Sequence, residues 1–171
     1  GRKHGAKYEA ETVIDLVMKG GASAIFHGMS DDDVKRIMQY PFNMFASDAS
    51  IRDFGSGMPH PRGYGTNARV LAEYVRDQHV ISLEEAIRRM TSLPAQKFQL
   101  HDRGILKEGM AADIVIFDEK EVQDVSTYEK PHAYSKGFHY VIVNGVLTVD
   151  NENHTGARAG QALYGPGKTW N

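Results

Sequence analysis

Residues 22–48 read ASAIFHGMSDDDVKRIMQYPFNMFASD, and this stretch decides the fold class. Residues 22–27 and 43–46 are short apolar runs, which are typical of strands buried on both faces of a parallel sheet. Between them, Ser30 and the three carboxylates that follow it favour the start of a helix, and Pro41 ends that helix. The order strand, helix, strand predicts a parallel sheet or an α/β barrel.

Helical patterns continue on both sides of this stretch. Apolar spacing predicts a helix over residues 8–19, ended by two glycines, and another over residues 67–78 after a long loop rich in glycine and proline. Ser82 and Glu85 have the spacing of a capping box at the start of a further helix, and residues 92–95 begin a short one. The N-terminal part is therefore predicted to alternate helices with parallel strands.

The pattern changes near residue 100. Residues 112–118 and 140–149 are rich in β-branched and aromatic residues, and Asn144-Gly145 divides the second run. An Asn-Gly pair between two such runs is the strongest short-range signal for a β-hairpin. The sequence therefore predicts a boundary at residues 97–101, with an antiparallel β part after it.

The composition excludes several classes of protein and site. The chain has 171 residues with a net charge of -2, so it lacks the basic surface typical of nucleic-acid or membrane-surface binding. The absence of cysteine excludes disulfides, zinc fingers and thiolate nucleophiles, and it fits a cytoplasmic location. No apolar stretch has the roughly 20 residues needed to span a bilayer. Because the chain begins with Gly1 and not with Met, we expect the gene product to start further upstream.

Asp48, His60 and Arg62 are the candidate site residues because they follow the second predicted strand. In α/β barrels the catalytic groups lie at the C-terminal ends of strands and on the loops after them. A carboxylate placed there can bind a metal ion or accept a proton from a metal-bound water, and an arginine can hold a substrate carboxylate in a bidentate fork. The pattern suggests hydrolysis of a small substrate that bears a carboxylate.

Each of these three residues also has a purely structural interpretation. Asp48 can bond to nearby backbone N–H groups in a Ser-Asp turn. A histidine between two prolines, as His60 is, often serves as a surface or packing residue, and Arg62 can pair with Asp53 or Glu73. Sequence alone leaves both interpretations open.

The histidines are spread along the chain. His27 ends the first predicted strand, as an inward-facing ligand or a histidine bonded to backbone, and Met29 lies on the loop after it, where it can line an apolar pocket. We assign no role to the others, which are His4, His79, His101, His132, His139 and His154. The sequence contains no His-x-His or His-Glu-x-x-His pair, so it lacks the clustered imidazoles of a tight zinc site.

A set of short motifs occurs in order along the chain. They are Ala46-Ser47-Asp48, His60-Pro61-Arg62, Tyr64-Gly65-Thr66, residues 82–87, residues 90–95, Asp102-Arg103-Gly104, residues 109–115, residues 128–134 and Val143-Asn144-Gly145. Each motif alone is weak. The ordered set resembles the C-terminal part of the N-acyl-D-amino-acid deacylases, or D-aminoacylases, of the amidohydrolase superfamily, and it covers nearly the whole chain from about residue 22.

The resemblance implies an α/β fold, with the C-terminal part of a TIM-like (β/α)8 metal-dependent hydrolase barrel over residues 1–98 and a segment of a small β-sandwich domain over residues 99–171. It also implies zinc-dependent hydrolysis of the amide bond of N-acyl-D-amino acids or related acylated amino compounds. By position, Asp48 matches the acid at the last barrel strand that contacts zinc, activates the water and passes its proton to the leaving amine.

The resemblance gives the other candidates roles in substrate binding. Arg62 matches the residue that holds the substrate carboxylate, and Met29 matches a position near the substrate pocket. His60 keeps the family's His-Pro-Arg order and shapes the loop that carries Arg62.

The family's metal ligands other than Asp48 have no counterpart in this chain. A zinc site uses three or four protein ligands, so Asp48 alone would hold the ion poorly. We therefore expect the remaining ligands to come from a missing N-terminal segment of the same enzyme or from a second chain, and this chain to be inactive alone. Two alternatives stay open: a cyclic-amide hydrolase of the dihydroorotase or hydantoinase kind, and a non-catalytic subunit that completes a partner chain.

Overall fold

The computed structural model describes residues 8–21 and 28–166, which belong to two compact units. The first unit, Gly1–Asp31, contains helix α1, Glu9–Met18. The predicted helix over residues 8–19 is confirmed, and it ends where Gly20 and Gly21 take positive φ angles of 100° and 85°. The predicted strand over residues 22–27 falls outside the described residues.

Nearly all of the other elements lie in the second unit, Asp32–Asn171. The helices are α2 (Asp31–Met38), α3 (Arg62–Arg69), α4 (Leu83–Met90) and α5 (Ser92–Lys97), and a π-helical segment, Val70–Asp77, continues α3. The strands are β1 (Ile114–Phe117), β2 (Phe138–Val143), β3 (Val146–Asp150) and β4 (Asn153–His154). Among the residues that the structure describes, no helix combines the length and the apolar character needed to cross a membrane.

The four strands form one antiparallel sheet in chain order. Strands β2 and β3 are joined by Asn144 and Gly145, whose φ angles of 48° and 80° are those of the tight turn that an Asn-Gly pair favours. In the register of this hairpin, Val141 lies opposite Val149. The predicted hairpin and the antiparallel part of the chain are confirmed.

The hydrophobic core of the second unit forms around α3, its π-helical extension and α4. Its buried members are Ala68, Val70, Leu71, Val75, Ala86 and Val122. Phe117 and Phe138 of the sheet pack against this cluster, so the core draws on residues from both sides of the boundary predicted at residues 97–101. The division into domains at residue 98 stays a prediction.

Two helix starts that the sequence predicts are confirmed. At the start of α4, the hydroxyl oxygen of Ser82 accepts a hydrogen bond from the backbone N–H of Glu85 at 3.3 Å. Helix α5 begins at Ser92 and carries Pro94 in its first turn, where a missing N–H costs nothing.

The predicted strand over residues 43–46 is not formed, because its first residue, Asn43, hydrogen-bonds to α2 and to the turn that follows α2. The N–H of Asn43 donates to the carbonyl of Tyr40 at 3.3 Å, and its side-chain amide donates to the carbonyl of Ile37. Such local bonds compete with a strand ladder. Phe45 still packs against the core, so this apolar run is anchored as a loop.

Helix α3 begins at Arg62, earlier than the predicted start at residue 67. Pro61 has helical angles, φ -52° and ψ -28°, and its carbonyl accepts from the N–H of Gly65 at 3.1 Å. Proline suits the first turn of a helix, whereas Gly63 and Gly65 disfavour a helix. The two glycines are the reason why the sequence did not predict a helix here. Arg62 therefore stands on a helix and not on a loop.

Two arginines of α4 hold it against the end of α2. Glu85 accepts from Nε of Arg88 and from Nε of Arg89, each at 2.7 Å. Arg88 also donates to the carbonyl of Pro41 at 2.7 Å, and Arg89, only 2% exposed, donates to the carbonyl of Met38. Positive charge at the C-terminal end of α2 is favourable because the last carbonyls of a helix lack intrahelical partners.

The Glu85 ion pairs predict a loss of stability in acid. Arg88 and then Arg89 lower the pKa of Glu85 from 4.5 to about 2. A carboxylate whose pKa is lower in the folded state contributes stability that is present above pH 4.5 and is lost as the pH falls toward 2. Urea unfolding between pH 2 and pH 6 should show a smaller decline in the free energy of unfolding for Glu85→Gln than for the parent chain. Glu129→Gln, at an exposed bend, is the control, and an unchanged decline in Glu85→Gln would contradict the assignment.

Candidate active site

Asp48 ends the loop that follows Phe45, whose ring is packed against the core. Its φ of 47° is in the left-handed region, which aspartate tolerates better than most residues. The Asp48 side chain is 84% exposed. The loop therefore presents this carboxylate to solvent and to any ligand that approaches the surface.

Arg62 is fixed in place by the start of α3. Nδ1 of His60 accepts a hydrogen bond from the backbone N–H of Arg62 at 3.1 Å, which satisfies a donor that the first turn of a helix leaves without a partner. The hydroxyl of Tyr128 lies 3.3 Å from Nε2 of His60, and the two rings meet edge to face at 5.1 Å. His60 thus acts on the site through the backbone of the arginine.

The structure brings Asp48 and Arg62 together. Nη2 of Arg62 lies 2.6 Å from Oδ2 of Asp48, and the arginine side chain is 43% exposed. The expectation that Arg62 could pair with Asp53 or Glu73 was wrong, since its ion pair is formed with Asp48. An exposed pair of this kind contributes roughly 0–1 kcal/mol to stability.

A cleft of about 520 Å³ opens beside this ion pair. Asp48 and Arg62 line it together with His60, and its walls also include Ala49, Ser50, Ile51, Arg52, Pro59, Tyr64 and Tyr134. A carboxylate, two guanidinium groups and two phenol rings in one open cleft suit a small anionic ligand with an apolar part. Asp48, His60 and Arg62, which the sequence predicted to lie at one place, all line this cleft.

A cluster of aromatic rings that includes His132 lies beside the cleft and was not predicted from the sequence. Phe54 stacks on Tyr134 at 4.9 Å and meets the rings of Tyr64 and His132 edge to face at 6.0 and 5.7 Å. Residues 128–134 formed one of the motifs that carry the family resemblance, so a signal was present. Their contacts with residues 54–64 are distant in sequence, which is why the spacing did not reveal them.

The residues that the structure describes do not make a zinc site by themselves. No three histidines, cysteines or carboxylates in residues 8–21 and 28–166 come close enough together to hold a metal ion. A catalytic zinc uses three protein ligands and a water, and Asp48 is one carboxylate engaged with Arg62. This donor set does not fit zinc unless ligands from elsewhere join Asp48.

Met29 lies in the first compact unit, and the residue is 77% exposed. The other three candidates, Asp48, His60 and Arg62, lie in the second unit. The role of Met29 in substrate binding stays a prediction.

Sequence comparison places the chain among known proteins. The family model described as the amidohydrolase family matches residues 4–149. The N-acyl-D-aspartate deacylase of Alcaligenes xylosoxydans xylosoxydans is 42% identical over 142 residues, which are 83% of this chain and 28% of the relative. The dihydroorotase of Endomicrobium trichonymphae is 45% identical over only 58 residues, or 34% of this chain. The chain thus spans about 28% of the length of the deacylase that it matches.

Solved structures agree with this placement. A crystal structure of D-aminoacylase superposes with a TM-score of 0.73 at 41% identity, covering 77% of this chain and 27% of that protein. The N-acyl-D-glutamate deacylase of Bordetella bronchiseptica, solved with zinc and a phosphonate mimic of the tetrahedral intermediate, gives a TM-score of 0.66 at 43% identity over 70% of this chain and 25% of that one. The chain belongs to the amidohydrolase family.

Proposed function

We propose that this chain is part of a zinc-dependent N-acyl-D-amino-acid deacylase and that it supplies Asp48 and Arg62 to the active site. The observation that carries the proposal is the 2.6 Å contact between a carboxylate and a guanidinium at the mouth of an open cleft. Two of the relatives are named as deacylases of N-acyl-D-aspartate and N-acyl-D-glutamate, compounds whose free carboxylate is the group that a guanidinium on the cleft wall would hold.

In this proposal the two residues divide the reaction between binding and proton transfer. Arg62 holds the substrate carboxylate, and Asp48 accepts a proton from the water that attacks the amide carbonyl. The water oxygen adds to the carbonyl carbon to give a tetrahedral intermediate, the proton held by Asp48 passes to the amine nitrogen, and the C–N bond then breaks as the C=O bond re-forms. The products are a carboxylic acid and a free D-amino acid.

The observed ion pair adds a coupling between binding and chemistry. Arg62 already contacts a carboxylate, that of Asp48, at 2.6 Å. A substrate carboxylate competes for the same guanidinium, and both side chains are exposed enough to rearrange. Binding of an acylated amino acid would therefore release Asp48 to act as the base.

Zinc would share Asp48 with ligands from outside the described residues. The Bordetella relative was solved with zinc, whereas no three potential ligands in residues 8–21 and 28–166 lie close enough together to hold a metal ion. The barrel and the β-sandwich that would surround such a centre are likewise part of the proposal. A preceding segment of the same polypeptide or a partner chain would supply the missing imidazoles.

The two alternative functions are a cyclic-amide hydrolase and a non-catalytic subunit. A cyclic-amide hydrolase is less well supported, because the dihydroorotase match covers 58 residues and the deacylase match covers 142. A non-catalytic subunit that completes a partner is favoured by one observation, the lack of a metal-binding cluster in residues 8–21 and 28–166. Each alternative predicts a metal content or a product that differs from that of a zinc-dependent deacylase.

Metal analysis with an assay of product tests the proposal. The complete assembly that contains this chain should hold about one zinc ion and release free amino acid from N-acetyl-D-glutamate, with little release from the L-isomer. The isolated 171-residue chain should bind zinc weakly and be inactive. An assembly without zinc and without turnover would support the subunit alternative, and hydrolysis of dihydroorotate alone would support the cyclic-amide alternative.

A further inference from the structure

His132 ties together two parts of the chain that lie far apart in sequence. Its Nδ1 lies 3.2 Å from the backbone N of Gly55 and 3.1 Å from the hydroxyl of Tyr64, and its Nε2 lies 2.8 Å from the carbonyl oxygen of Gly57. One half-buried imidazole thus contacts the N–H of one loop residue, the C=O of another and a side chain of α3.

These contacts determine which ring nitrogen of His132 carries the hydrogen. The carbonyl of Gly57 can only accept, so Nε2 must donate to it. Nδ1 then offers its lone pair, which the N–H of Gly55 and the O–H of Tyr64 share as donors. All three bonds are satisfied together only by the neutral ring with hydrogen on Nε2.

The part of the chain that His132 holds is a wall of the cleft. We call residues 49–59 the cleft loop. Five of its residues line the cleft: Ala49, Ser50, Ile51, Arg52 and Pro59. His132 hydrogen-bonds to the backbone of the loop at Gly55 and Gly57. Phe54, at the turn of the loop, rests among the rings of Tyr64, His132 and Tyr134.

The segment that carries His132 is itself fixed to α3. Ser135 donates to the backbone carbonyl of Tyr64 at 2.9 Å, and Pro131 is buried. Tyr64 follows Arg62 on the same helix, so the cleft loop and the guanidinium share one support. Because φ is positive at Gly55 and Gly57, 86° and 66°, the loop relies on residues outside it to select one conformation.

We propose that His132, with Tyr64, is a positioning residue that fixes the cleft loop against α3 and thereby sets the affinity of the cleft for substrate. This inference rests on the proposed function for its substrate, an N-acyl-D-amino acid. His132 itself does not line the cleft; it acts through the loop backbone and so should control binding more than the chemical step.

The test combines a backbone measurement with kinetics on the complete, zinc-loaded enzyme. In His132→Ala, amide hydrogen exchange of Gly55 should be faster by about tenfold, since the hydrogen bond of this N–H to the His132 ring is lost. KM for N-acetyl-D-glutamate should rise about tenfold while kcat changes by less than about threefold. In the parent chain, nitrogen NMR of the His132 ring should show hydrogen on Nε2.

Two further variants keep the inference falsifiable. His132→Asn places an acceptor oxygen near the position of Nδ1, so it should restore part of the Gly55 protection and of the KM. His101→Ala removes the same atoms at an exposed turn and should change neither quantity. Circular dichroism of each variant checks that the fold is kept. If His132→Ala does not fold, the exchange and kinetic data of His132→Asn test the inference.

Failure of the inference and failure of the proposed function are distinguishable. Unchanged exchange at Gly55, hydrogen on Nδ1, or a loss in kcat with KM unchanged would each overturn the positioning role. If the parent enzyme does not hydrolyse N-acyl-D-amino acids, the proposed function fails. Binding of the same compounds, measured by calorimetry for the parent chain and for His132→Ala, then decides whether His132 sets the affinity of the cleft.

Discussion

Replacement of Asp48 by asparagine is expected to lower kcat by at least about 10³-fold in the complete enzyme, because the amide cannot accept the proton of the attacking water. The substitution keeps the size of the side chain and its place at the cleft. KM for an N-acyl-D-amino acid should change little or fall, since Arg62 is relieved of the carboxylate that competes with substrate. Steady-state kinetics with N-acetyl-D-glutamate as substrate measure both effects.

The same variant should fold as the parent does. The Asp48 side chain is 84% exposed, and an exposed ion pair contributes roughly 0–1 kcal/mol, so thermal unfolding should be shifted by only a few degrees. Asp53→Asn is the matched control, since it removes a carboxylate from the cleft loop that is not placed on the cleft wall, and it should keep kcat. Asp48→Asn with activity near that of the control would remove Asp48 from the mechanism.

Local signals predicted the parts of the fold that depend on local chemistry. Asn144-Gly145 predicted the hairpin because few other pairs accept two positive φ angles in a row. Ser82 predicted the start of α4 for a similar reason, since a side-chain acceptor is needed where backbone N–H groups lack partners. Both features depend on residues within four positions of each other.

The errors arose where one local signal opposed another. The run over residues 43–46 has the apolar character of a strand, but the Asn43 amide satisfies the carbonyl of Ile37 in α2 and begins a loop. Gly63 and Gly65 indicate a loop, although Pro61 and the His60 ring start a helix there. In each case a specific hydrogen bond prevailed over the average preference of the residue types.

The candidate site shows the limit of sequence reasoning more sharply. Asp48 and Arg62 were found because both follow one predicted strand, but their direct contact was not, since it depends on where α3 starts. The contacts of His132 were not predicted because its partners, Gly55 and Gly57, are more than 70 residues away in the sequence. Contacts of that range come from the fold and are invisible in spacing.

Replacement of Arg62 by alanine is expected to lower kcat/KM about 10²- to 10³-fold for substrates with a free α-carboxylate, because a charge-assisted pairing of about 3–4 kcal/mol is lost. For an N-acyl amine that lacks the carboxylate, the loss should be less than about threefold. For the carboxylate-bearing substrate, kcat/KM of Arg62→Lys should lie between the values of the parent and of Arg62→Ala, since lysine keeps the charge but not the planar fork. The ratio of kcat/KM for the two substrates, measured for each variant, isolates the role of the guanidinium.

Arg52 provides the matched control because it is a second arginine on the wall of the same cleft. If Arg62 is the carboxylate anchor, Arg52→Ala should lower kcat/KM for both substrates by a similar, small factor and leave their ratio unchanged. A larger change of the ratio in Arg52→Ala than in Arg62→Ala would move the anchor to Arg52. Equal losses for both substrates in Arg62→Ala would assign Arg62 to the structure of the site, where its pairing with Asp48 at 2.6 Å would then be its function.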